Sequence, residues 1–437
     1  MSQKPHSAVD ELANKERRNV NIAVDKFRRA ALQSVIYAIA RAFCGVHRSG
    51  PASDNVAGAS RYFKTRGVAV SDQPNRAFFG DNEMKLGTFC LNISGGMMMS
   101  TAAKNTLDWR ENVAVAQAAD SAGWEFLLPL GRWRGQGGTN NSNAEQYETF
   151  TWASAIAAVT KRIQVFTTCH VPIFHPMLVA KMGATIDHVS GGRFGMNIVA
   201  GWNELEFGMF GIEQQPHDDR YAAAAEWLEI IERLWTENDE LDYQGRYYSV
   251  KRGYLQPKPI QSPRPVVVSA GTSPTGLDFA LTHADYTFQG GPDWESLEGT
   301  ARRTQDRSKE LGSSAGLLAF SSIVVKDTEK EARRYFEWYV DECGDHDGAR
   351  ALVERVVSGG ARSIAPEVMR QQIRGWIAGY AALPLIGTAE QIVDLLSQYK
   401  KIGYSGVALS WLDYSEGIER FNAEVLPLMK EAGLRSG

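Results

Sequence analysis

The sequence has no apolar run of the length that crosses a bilayer, about 18 consecutive residues. Its N-terminus also lacks the order of basic, apolar and small residues that marks a secretory signal. Cysteine is scarce, because Cys44, Cys90, Cys169 and Cys343 are far apart and form neither a CxxC pair nor a dense framework. We therefore expect a cytoplasmic protein with reduced thiols.

A dominant charge of one sign is absent as well. The 47 basic and 51 acidic residues are interspersed and give a formal net charge of −4. This distribution provides no electrostatic footprint for nucleic acid or anionic lipid. A chain of 437 residues with 43% hydrophobic content can bury one large core or two modest ones. We expect a globular enzyme with a small-molecule substrate and no nucleic-acid or membrane partner.

Residues 1–83 differ from the rest in their abundance of charge, Ala, Ser and Gly, with one candidate amphipathic helix at residues 20–43. That helix suits docking or targeting. A disordered leader, or a start codon assigned too far upstream of Met84, is the simpler interpretation, because strand-like sequence begins abruptly at Met84. We expect an N-terminal extension at 1–83, a functional domain at 84–437, and no loss of folding when the extension is deleted.

From Met84 onward, short apolar runs alternate with longer helical patterns, which is typical of parallel strands joined by crossover helices. Eight such runs begin at Lys85, Glu125, Ile163, Arg193, Pro265, Asp285, Leu317 and Ser405. Eight β/α units over roughly 350 residues predict an α/β fold, a (β/α)₈ TIM barrel with insertions. No GxGxxG turn follows any strand, which disfavours a doubly wound dinucleotide fold.

The regions between the strands are also patterned. Apolar spacing in residues 221–236 predicts an amphipathic helix in which Trp227 and Trp235 serve packing. Two long segments are predicted insertions into the barrel. They are the turn-rich residues 241–265 before the fifth strand and the helical residues 326–383 before the eighth.

In a TIM barrel the functional residues lie at the carboxyl ends of the strands. Here LPLGRWRGQGG, TTCHVPIFHP, NIVAGWNELEF and SAGTSPTG follow the second to fifth strands. With the start of the next helix they supply many hydrogen-bond donors and few carboxylates: Arg132, Arg134, Thr168, His170, Asn197, Trp202, Glu206, Arg220, Tyr221 and Ser273. This composition suits an anionic, aromatic ligand.

Two other barrel chemistries find little support. Metal hydrolysis needs several His and carboxylate ligands at strand ends, whereas His170 and His175 are separated by an extended segment, and His175 is placed to cap a helix that starts at Pro176. We expect no metal site. Nucleophilic catalysis would need a GxSxG elbow, which is absent, or a base for Cys169 beyond His170.

Five segments resemble the bacterial-luciferase-like flavin monooxygenases, a family of (β/α)₈ barrels that use reduced FMN and dioxygen. They are NISGG, RGQGG, ATIDHVSGGRFGMNIVAGW, HDDRY and SAGTSPTG, of which the third is the most specific. The likeness covers about residues 84–429. Within the family it is strongest to the branch that holds the pyrimidine monooxygenase of uracil breakdown and the FMNH2-dependent dimethyl sulfone monooxygenase.

The resemblance implies a flavin site at the four loops. The positions that match FMN contacts of relatives are Asn197, Glu206, Arg220, Tyr221 and Ser273, together with Arg132 and its neighbour Gly131. Gly131 departs from the family pattern, since relatives carry a bulkier side chain there. Arg220, Tyr221 and Ser273 have the chemistry to hold a phosphate by charge-assisted and hydroxyl hydrogen bonds.

The resemblance also implies a catalytic pocket beside flavin N5. In pyrimidine-oxidising relatives this pocket is associated with an N5 peroxide, and the matching residues here are Leu128, Thr168, Asn197 and Trp202. Ala200 departs from the pattern, because those relatives have Thr or Ser. His170 is a further candidate, either to supply a proton or to orient the substrate.

The implied activity is that of a two-component FMN-dependent monooxygenase, with O2 as co-substrate and a separate NAD(P)H:flavin reductase as the source of reduced FMN. A heterocycle, a sulfone or sulfonate, or a halogenated aromatic would be oxygenated and cleaved. A homo-oligomer is expected. Two alternatives stay open: a deazaflavin-dependent oxidoreductase of the wider luciferase-like group, and a non-catalytic flavin-binding barrel.

Overall fold

The strand order defines the fold in the computed structural model, which describes residues 77–356 and 365–436. The strands in that part of the chain are β1 Lys85–Phe89, β2 Phe126–Leu128, β3 Gln164–His170, β4 Phe194–Val199, β5 Leu241–Gln244, β6 Ser249–Gly253, β7 Val266–Ser269, β8 Tyr286–Phe288, β9 Gly316–Val325, β10 Leu385–Gly387 and β11 Gly406–Ser410. Their hydrogen-bonded order is β1-β2-β3-β4-β7-β8-β9-β11, and β11 returns to β1 in parallel pairing. The predicted (β/α)₈ barrel is confirmed, and each predicted run contains one barrel strand.

The helices of the described residues surround the barrel and fill its insertions. They span Trp109–Ser121, Thr149–Val159, Pro176–Ser190, Glu204–Met209, His217–Thr236, Pro274–His283, Trp294–Leu311, Glu329–Glu337, His346–Val356, Pro366–Gly379, Ala389–Ile402, Tyr414–Arg420 and Leu426–Glu431. Both predicted insertions are present. The first holds the antiparallel hairpin of β5 and β6, and the described part of the second holds three α-helices and the π-helix Trp338–Glu342 before β10, which pairs with the end of β9.

The first turns of two helices near the mouth show why they begin where they do. The Nδ1 atom of His175 accepts a hydrogen bond from the Met177 amide at 3.3 Å, so the predicted capping role is confirmed. The helix predicted at residues 221–236 begins four residues earlier, at His217, with two acidic residues in its first turn. Negative charge there is favoured by the helix dipole. Its Trp227 and Trp235 are buried, as predicted.

Aromatic side chains fill the lower end of the barrel, where the strands begin. The glycines at positions 87 and 195 make room for them, because a Cβ at Gly87 would lie 2.3 Å from the Phe126 ring and one at Gly195 would lie 2.4 Å from Phe166. Side chains two residues further along each strand point the same way. The next layer upward therefore includes Leu128, Thr168 and Asn197, which places all three inside the upper barrel.

Phe78 closes this lower end, although it belongs to the stretch that the sequence assigns to the extension. It lies in a short 3-10 helix, Ala77–Phe79, and its side chain is 0% exposed. Its ring centroid is 5.3 Å from that of Phe126, 5.4 Å from that of Phe166 and 4.8 Å from that of Tyr286. The packed part of the chain thus begins before Met84. Residues 1–76, including the helix predicted at 20–43, lie outside the described residues.

We expect this closure to be measurable in the free energy of unfolding. A chain that begins at residue 77 should keep the stability of the full chain, whereas one that begins at residue 84 should lose about 3 kcal/mol, the usual cost of deleting a buried Phe ring. Phe78→Ala in the full chain should cost about the same. Urea unfolding measures all three, with Leu311→Ala, at a half-exposed position, as the control. Equal stability of the two truncated chains would contradict the closure.

Candidate active site at the barrel mouth

Three of the predicted residues meet on adjacent strands inside the mouth. Thr168 of β3 is the direct register partner of Asn197 of β4, and Leu128 ends the neighbouring strand β2. The Asn197 Nδ2 atom donates to Thr168 Oγ1 at 3.1 Å, and the Thr168 hydroxyl donates to the Pro129 carbonyl at 2.5 Å. Since a hydroxyl has a single proton, this chain of bonds fixes the orientation of both polar side chains.

The side-chain carbonyl oxygen of Asn197 is a hydrogen-bond acceptor that is open to a ligand. This Oδ1 atom is buried and has no hydrogen-bond partner among the described residues. A buried acceptor without a partner costs about 1–3 kcal/mol, so such an atom usually awaits a donor. The mouth therefore offers a fixed acceptor for an N–H or O–H group of a bound molecule.

The loop after β2 contributes a buried cation. Arg132 is 7% exposed, its Nη1 lies 3.7 Å from Glu206 Oε1, and its guanidinium carbon lies 4.8 Å from the centre of the Trp202 ring. Glu206 is fixed in turn by the Trp133 amide, which donates to Oε1 at 3.2 Å. The Arg132 Nε atom is buried and finds no hydrogen-bond partner in the described parts of the chain. The predicted trio of Arg132, Trp202 and Glu206 is thus brought together with a donor to spare.

His170 and Gly131 lie against Thr168. A Cβ at position 131 would be 3.0 Å from His170 Cε1 and 3.1 Å from Thr168 Cγ2. The glycine therefore lets the loop after β2 lie directly on β3. Burial lowers the pKa of His170 to about 4, and the positive charge of Arg132 contributes to the same effect. At neutral pH its imidazole is uncharged.

The remaining cofactor candidates lie around the start of a helix and are called the anion cradle below: Ser273, Tyr221 and Arg220. Ser273 caps the helix Pro274–His283, and its Oγ accepts from the Gly276 amide at 2.9 Å. A Cβ at Gly276 would be 2.5 Å from the Tyr221 hydroxyl, so this glycine allows Tyr221 and Ser273 to converge. Arg220, the residue before Tyr221, donates to the Gly201 carbonyl at the end of the β4 loop. The Thr275 amide at this helix N-terminus, the two hydroxyls and the guanidinium at the start of the helix His217–Thr236 have the chemistry to bind a phosphate.

Some mouth residues were predicted differently or were missed. Arg134, the second arginine of its loop, is exposed at the rim, and Ala200 is buried beside Gly201. Sequence reasoning missed Tyr380 and Asn143, whose side chains share a hydrogen bond of 2.5 Å across the mouth. Both lie in irregular turns with left-handed backbone, which no periodic pattern reveals. Among the described residues, no group of three or more His, Cys, Asp or Glu side chains could hold a metal ion.

Comparison with known proteins agrees with this geometry. Residues 84–406 match the family model described as luciferase-like monooxygenase. The chain belongs to this family. The predicted family is confirmed, and the matched region contains seven of the eight barrel strands and the first residue of β11. In the part of the chain that the structure describes, no helix is long and apolar enough to span a membrane.

Individual relatives and solved structures add detail. The chain is 30% identical over 357 residues to the pyrimidine monooxygenase RutA of Enterobacter sp. (strain 638), covering 79% of this chain and 96% of that protein. It superposes on riboflavin lyase RcaE, solved with modified FMN and riboflavin, with a TM-score of 0.73 at 20% identity, covering 81% of this chain and 93% of the other. For DmoA from Hyphomicrobium sulfonivorans the TM-score is 0.70 at 19% identity, covering 80% and 89%. These two likenesses support the fold.

The low pKa of His170 predicts how the free energy of unfolding changes with pH. In the unfolded chain a histidine binds its proton near pH 6.5, whereas folded His170 resists protonation down to about pH 4. The unfolded state thus binds more protons in this window, and stability is present at neutral pH and lost as the pH falls from about 6.5 to 4. Between pH 7 and pH 5 we expect His170→Gln to lose about 2 kcal/mol less free energy of unfolding than the unchanged chain.

Urea unfolding at the two pH values, without added flavin, measures the difference. His283, whose pKa burial and the charge of Arg264 also lower to about 4, provides a parallel case outside the mouth. His283→Gln should show the same reduced pH dependence, and the two changes should add. An unchanged pH dependence in His170→Gln would mean that His170 is protonated as readily in the folded chain as in the unfolded one.

Proposed function

We propose that this chain is the oxygenase component of a two-component FMN-dependent monooxygenase, which uses dioxygen to oxygenate and cleave a small organic substrate. The observation that carries the proposal is the pairing of a fixed, unsatisfied acceptor at Asn197 with an anion cradle at Ser273 in one luciferase-like barrel mouth. A molecule with a planar polar ring and a phosphate matches both features. FMN is such a molecule.

The cradle at the helix N-terminus would bind the FMN phosphate. The Ser273 hydroxyl and the Thr275 amide would donate hydrogen bonds, and the Tyr221 hydroxyl lies against the same turn. Arg220 adds a positive charge at the neighbouring helix start. Charge-assisted hydrogen bonds to phosphate are about twice as strong as neutral ones, so this corner accounts for most of the expected affinity.

The layer of Leu128, Thr168 and Asn197 would hold the reacting edge of the flavin ring. Asn197 accepts from a ring N–H or donates through the amide that now bonds Thr168, and Leu128 keeps water away from one side. Trp202 and Arg132 stack as a second wall, with Glu206 balancing the charge. Reduced FMN, when bound, supplies the electrons with which dioxygen is activated.

His170 would act on the substrate as a neutral imidazole. Because burial and Arg132 hold its pKa near 4, it can accept a proton or donate its ring N–H, but it does not carry a positive charge at neutral pH. It points to the same interior side as Thr168, one layer nearer the opening. This location fits a group that orients a substrate above the flavin ring.

The substrate class rests on the relatives. A pyrimidine or similar heterocycle is the first class to test, since the 30% identical relative is named a pyrimidine monooxygenase. Sulfones, sulfonates and halogenated aromatics form the second group. Reduced FMN would come from a separate NAD(P)H:flavin reductase, and we propose a homo-oligomer, for which light scattering after gel filtration is the measurement.

The deciding experiment combines binding and product analysis. The protein is titrated with FMN and with the deazaflavin cofactor, then incubated with FMN, NAD(P)H, a flavin reductase and candidate substrates under labelled dioxygen. Preference for FMN and a product with one labelled oxygen support the proposal. Tight deazaflavin binding without FMN binding would favour the deazaflavin alternative, and FMN binding without oxygen uptake across all substrates would favour a flavin-binding barrel.

Removing the arginine of the anion cradle should weaken cofactor affinity. For Arg220→Ala we expect the FMN dissociation constant to rise by about 10- to 100-fold, as for the loss of one charge-assisted hydrogen bond. Product formation at saturating FMN should change much less, since the lost interaction is one of uniform binding. Arg233→Ala, on the same helix but at its far end, is the control, because Arg233 pairs there with exposed Glu237. Unchanged affinity in Arg220→Ala would remove Arg220 from the cradle.

Removing the hydroxyl of Thr168 should separate binding from chemistry. Thr168→Val keeps the volume and removes the hydroxyl that accepts from Asn197 and donates to the Pro129 carbonyl. We expect FMN affinity within about threefold of the original, and a fall in product per dioxygen that corresponds to about 2–4 kcal/mol if the bond orients a group in the transition state. Hydrogen peroxide should rise accordingly. The control is Thr167→Val, the next residue of the strand, whose side chain points away from the interior.

A further inference from the structure

The loop after β2 and the second insertion approach each other through glycines. A Cβ at Gly138 would lie 2.3 Å from the Gly348 Cα, and a Cβ at Gly348 would lie 2.8 Å from the Gly137 carbonyl oxygen. Gly138 also has a φ angle of 79°, which glycine adopts at little cost. The helix His346–Val356 therefore lies directly on the RGQGG segment of the loop.

This close approach brings Arg355 onto Gln136. Arg355 follows Gly348 by seven residues, so both lie on the same face of the helix. The Arg355 Nη2 atom donates to the Gln136 main-chain carbonyl at 2.9 Å and to Gln136 Oε1 at 3.2 Å. A guanidinium can only donate, so the amide oxygen of Gln136 faces Arg355 and its Nε2 group is fixed on the adjoining side.

The Gln136 side chain keeps an unused donor. It is 3% exposed, and its Nε2 atom is buried without a hydrogen-bond partner among the described residues. Burying an amide donor without a partner is unfavourable, and an apolar side chain of similar size would avoid that cost. The amide is therefore suited to a ligand that brings an acceptor.

Arg355 has donors to spare as well. A guanidinium carries five N–H groups, and Gln136 accepts from the two on Nη2. Within the described ranges, Arg355 forms no other hydrogen bond and no ion pair, and neither does Arg134, which is exposed in the same loop. Burial lowers the pKa of Arg355, and the positive charges of Arg132 and Arg134 act in the same direction. This corner of the rim thus favours an incoming negative charge.

A purely structural role for the pair explains less. The insertion is already fastened to the same loop by the Asp345 carboxylate, which accepts from the amides of Thr139 at 3.2 Å and Asn140 at 2.9 Å. Asp345 precedes Arg355 by ten residues, about 15 Å along a helix, which is too far for it to neutralise the guanidinium. A tether would need neither the unused Nε2 group of Gln136 nor the three unused N–H groups of Arg355.

We propose that Gln136 and Arg355 form a binding subsite for an oxyanion of the substrate, a carboxylate or a sulfonate, at the rim of the barrel mouth. Its oxygens would accept from Gln136 Nε2 and from the free N–H groups of Arg355, the latter by charge-assisted hydrogen bonds. The same loop carries Arg132, which lies over Trp202 further inside, so a substrate held by its anion at the rim would direct its remaining part inward.

The subsite is distinct from the anion cradle. The loop that carries Gln136 follows β2, whereas Ser273 follows β7, and β3 and β4 lie between these two strands in the barrel. A phosphate at Ser273 and an oxyanion at Gln136 can therefore be bound at the same time. The inference rests on the proposed function, because the oxyanion is taken to belong to the substrate of the flavin-dependent reaction.

Matched pairs of small molecules test the subsite. Benzoate and benzamide, benzenesulfonate and benzenesulfonamide, and orotate and uracil differ in whether they carry an oxyanion. Isothermal titration calorimetry measures the binding of each compound to the full chain, with and without saturating FMN. In at least one pair the anionic member should bind about 10-fold more tightly or better, and this preference should fall as salt is added. Equal binding within all three pairs would overturn the inference.

Substitutions assign the preference to the two residues. Arg355→Gln should weaken binding of the anionic compound by about 10- to 100-fold and leave its neutral partner unchanged. Gln136→Glu should also remove the preference, although it keeps an acceptor for Arg355, because a carboxylate replaces the free donor and neutralises the guanidinium. The control is Arg350→Gln, which removes the same charge from an exposed position on the same helix. It should keep the preference.

The outcomes distinguish this inference from the proposed function. Thermal melting first shows that each variant is folded. An anion preference that is lost in Arg355→Gln and in Gln136→Glu supports the subsite, and if FMN does not bind to the same chain, the proposed function alone fails. If FMN binds but Gln136→Glu keeps the preference, or Arg350→Gln loses as much of it as Arg355→Gln does, the subsite alone fails.

Discussion

The parallel register between β3 and β4 is the interaction on which the site depends. It sets Thr168 opposite Asn197, and their side chains meet at 3.1 Å inside the barrel. Because side chains alternate along a strand, a slip of one residue would turn one of the two out of the interior. The register is held along the whole length of both strands, from Val165 opposite Phe194 to His170 opposite Val199. The geometry of Thr168 and Asn197 at the mouth is therefore a consequence of strand pairing lower in the barrel.

The barrel divides its interior between stability and function. Below the layer of Thr168, the interior is filled by aromatic rings that fit against Gly87 and Gly195, with Phe78 as the closure. In that layer, Asn197 Oδ1 remains without a partner in the described residues, and so does Arg132 Nε in the loop after β2. Close packing leaves no room for a ligand in the lower half. The open half is where loops and the second insertion can vary without loss of the core.

Electrostatics in the mouth favour a ligand with electron-rich groups. Arg132 is a buried cation with one carboxylate neighbour, and its charge joins burial in keeping His170 neutral. The Arg132 guanidinium is held between the Trp202 ring and the Glu206 carboxylate, so its charge keeps a defined position at the mouth. Arg132 therefore supplies positive charge to the mouth and also packs against its wall at Trp202.

The sequence by itself determined the strands, the insertions and the four loops of the mouth, because alternation, helical spacing and chain order are local properties. Capping by His175 followed from the same local rules. Phe78 escaped notice because one buried ring in a short irregular segment carries no period, and the contact of Tyr380 with Asn143 joins side chains 237 residues apart. Only the closed barrel, which brings the ends of distant strands to one rim, decides such contacts, since their energies depend on the neighbours that folding supplies.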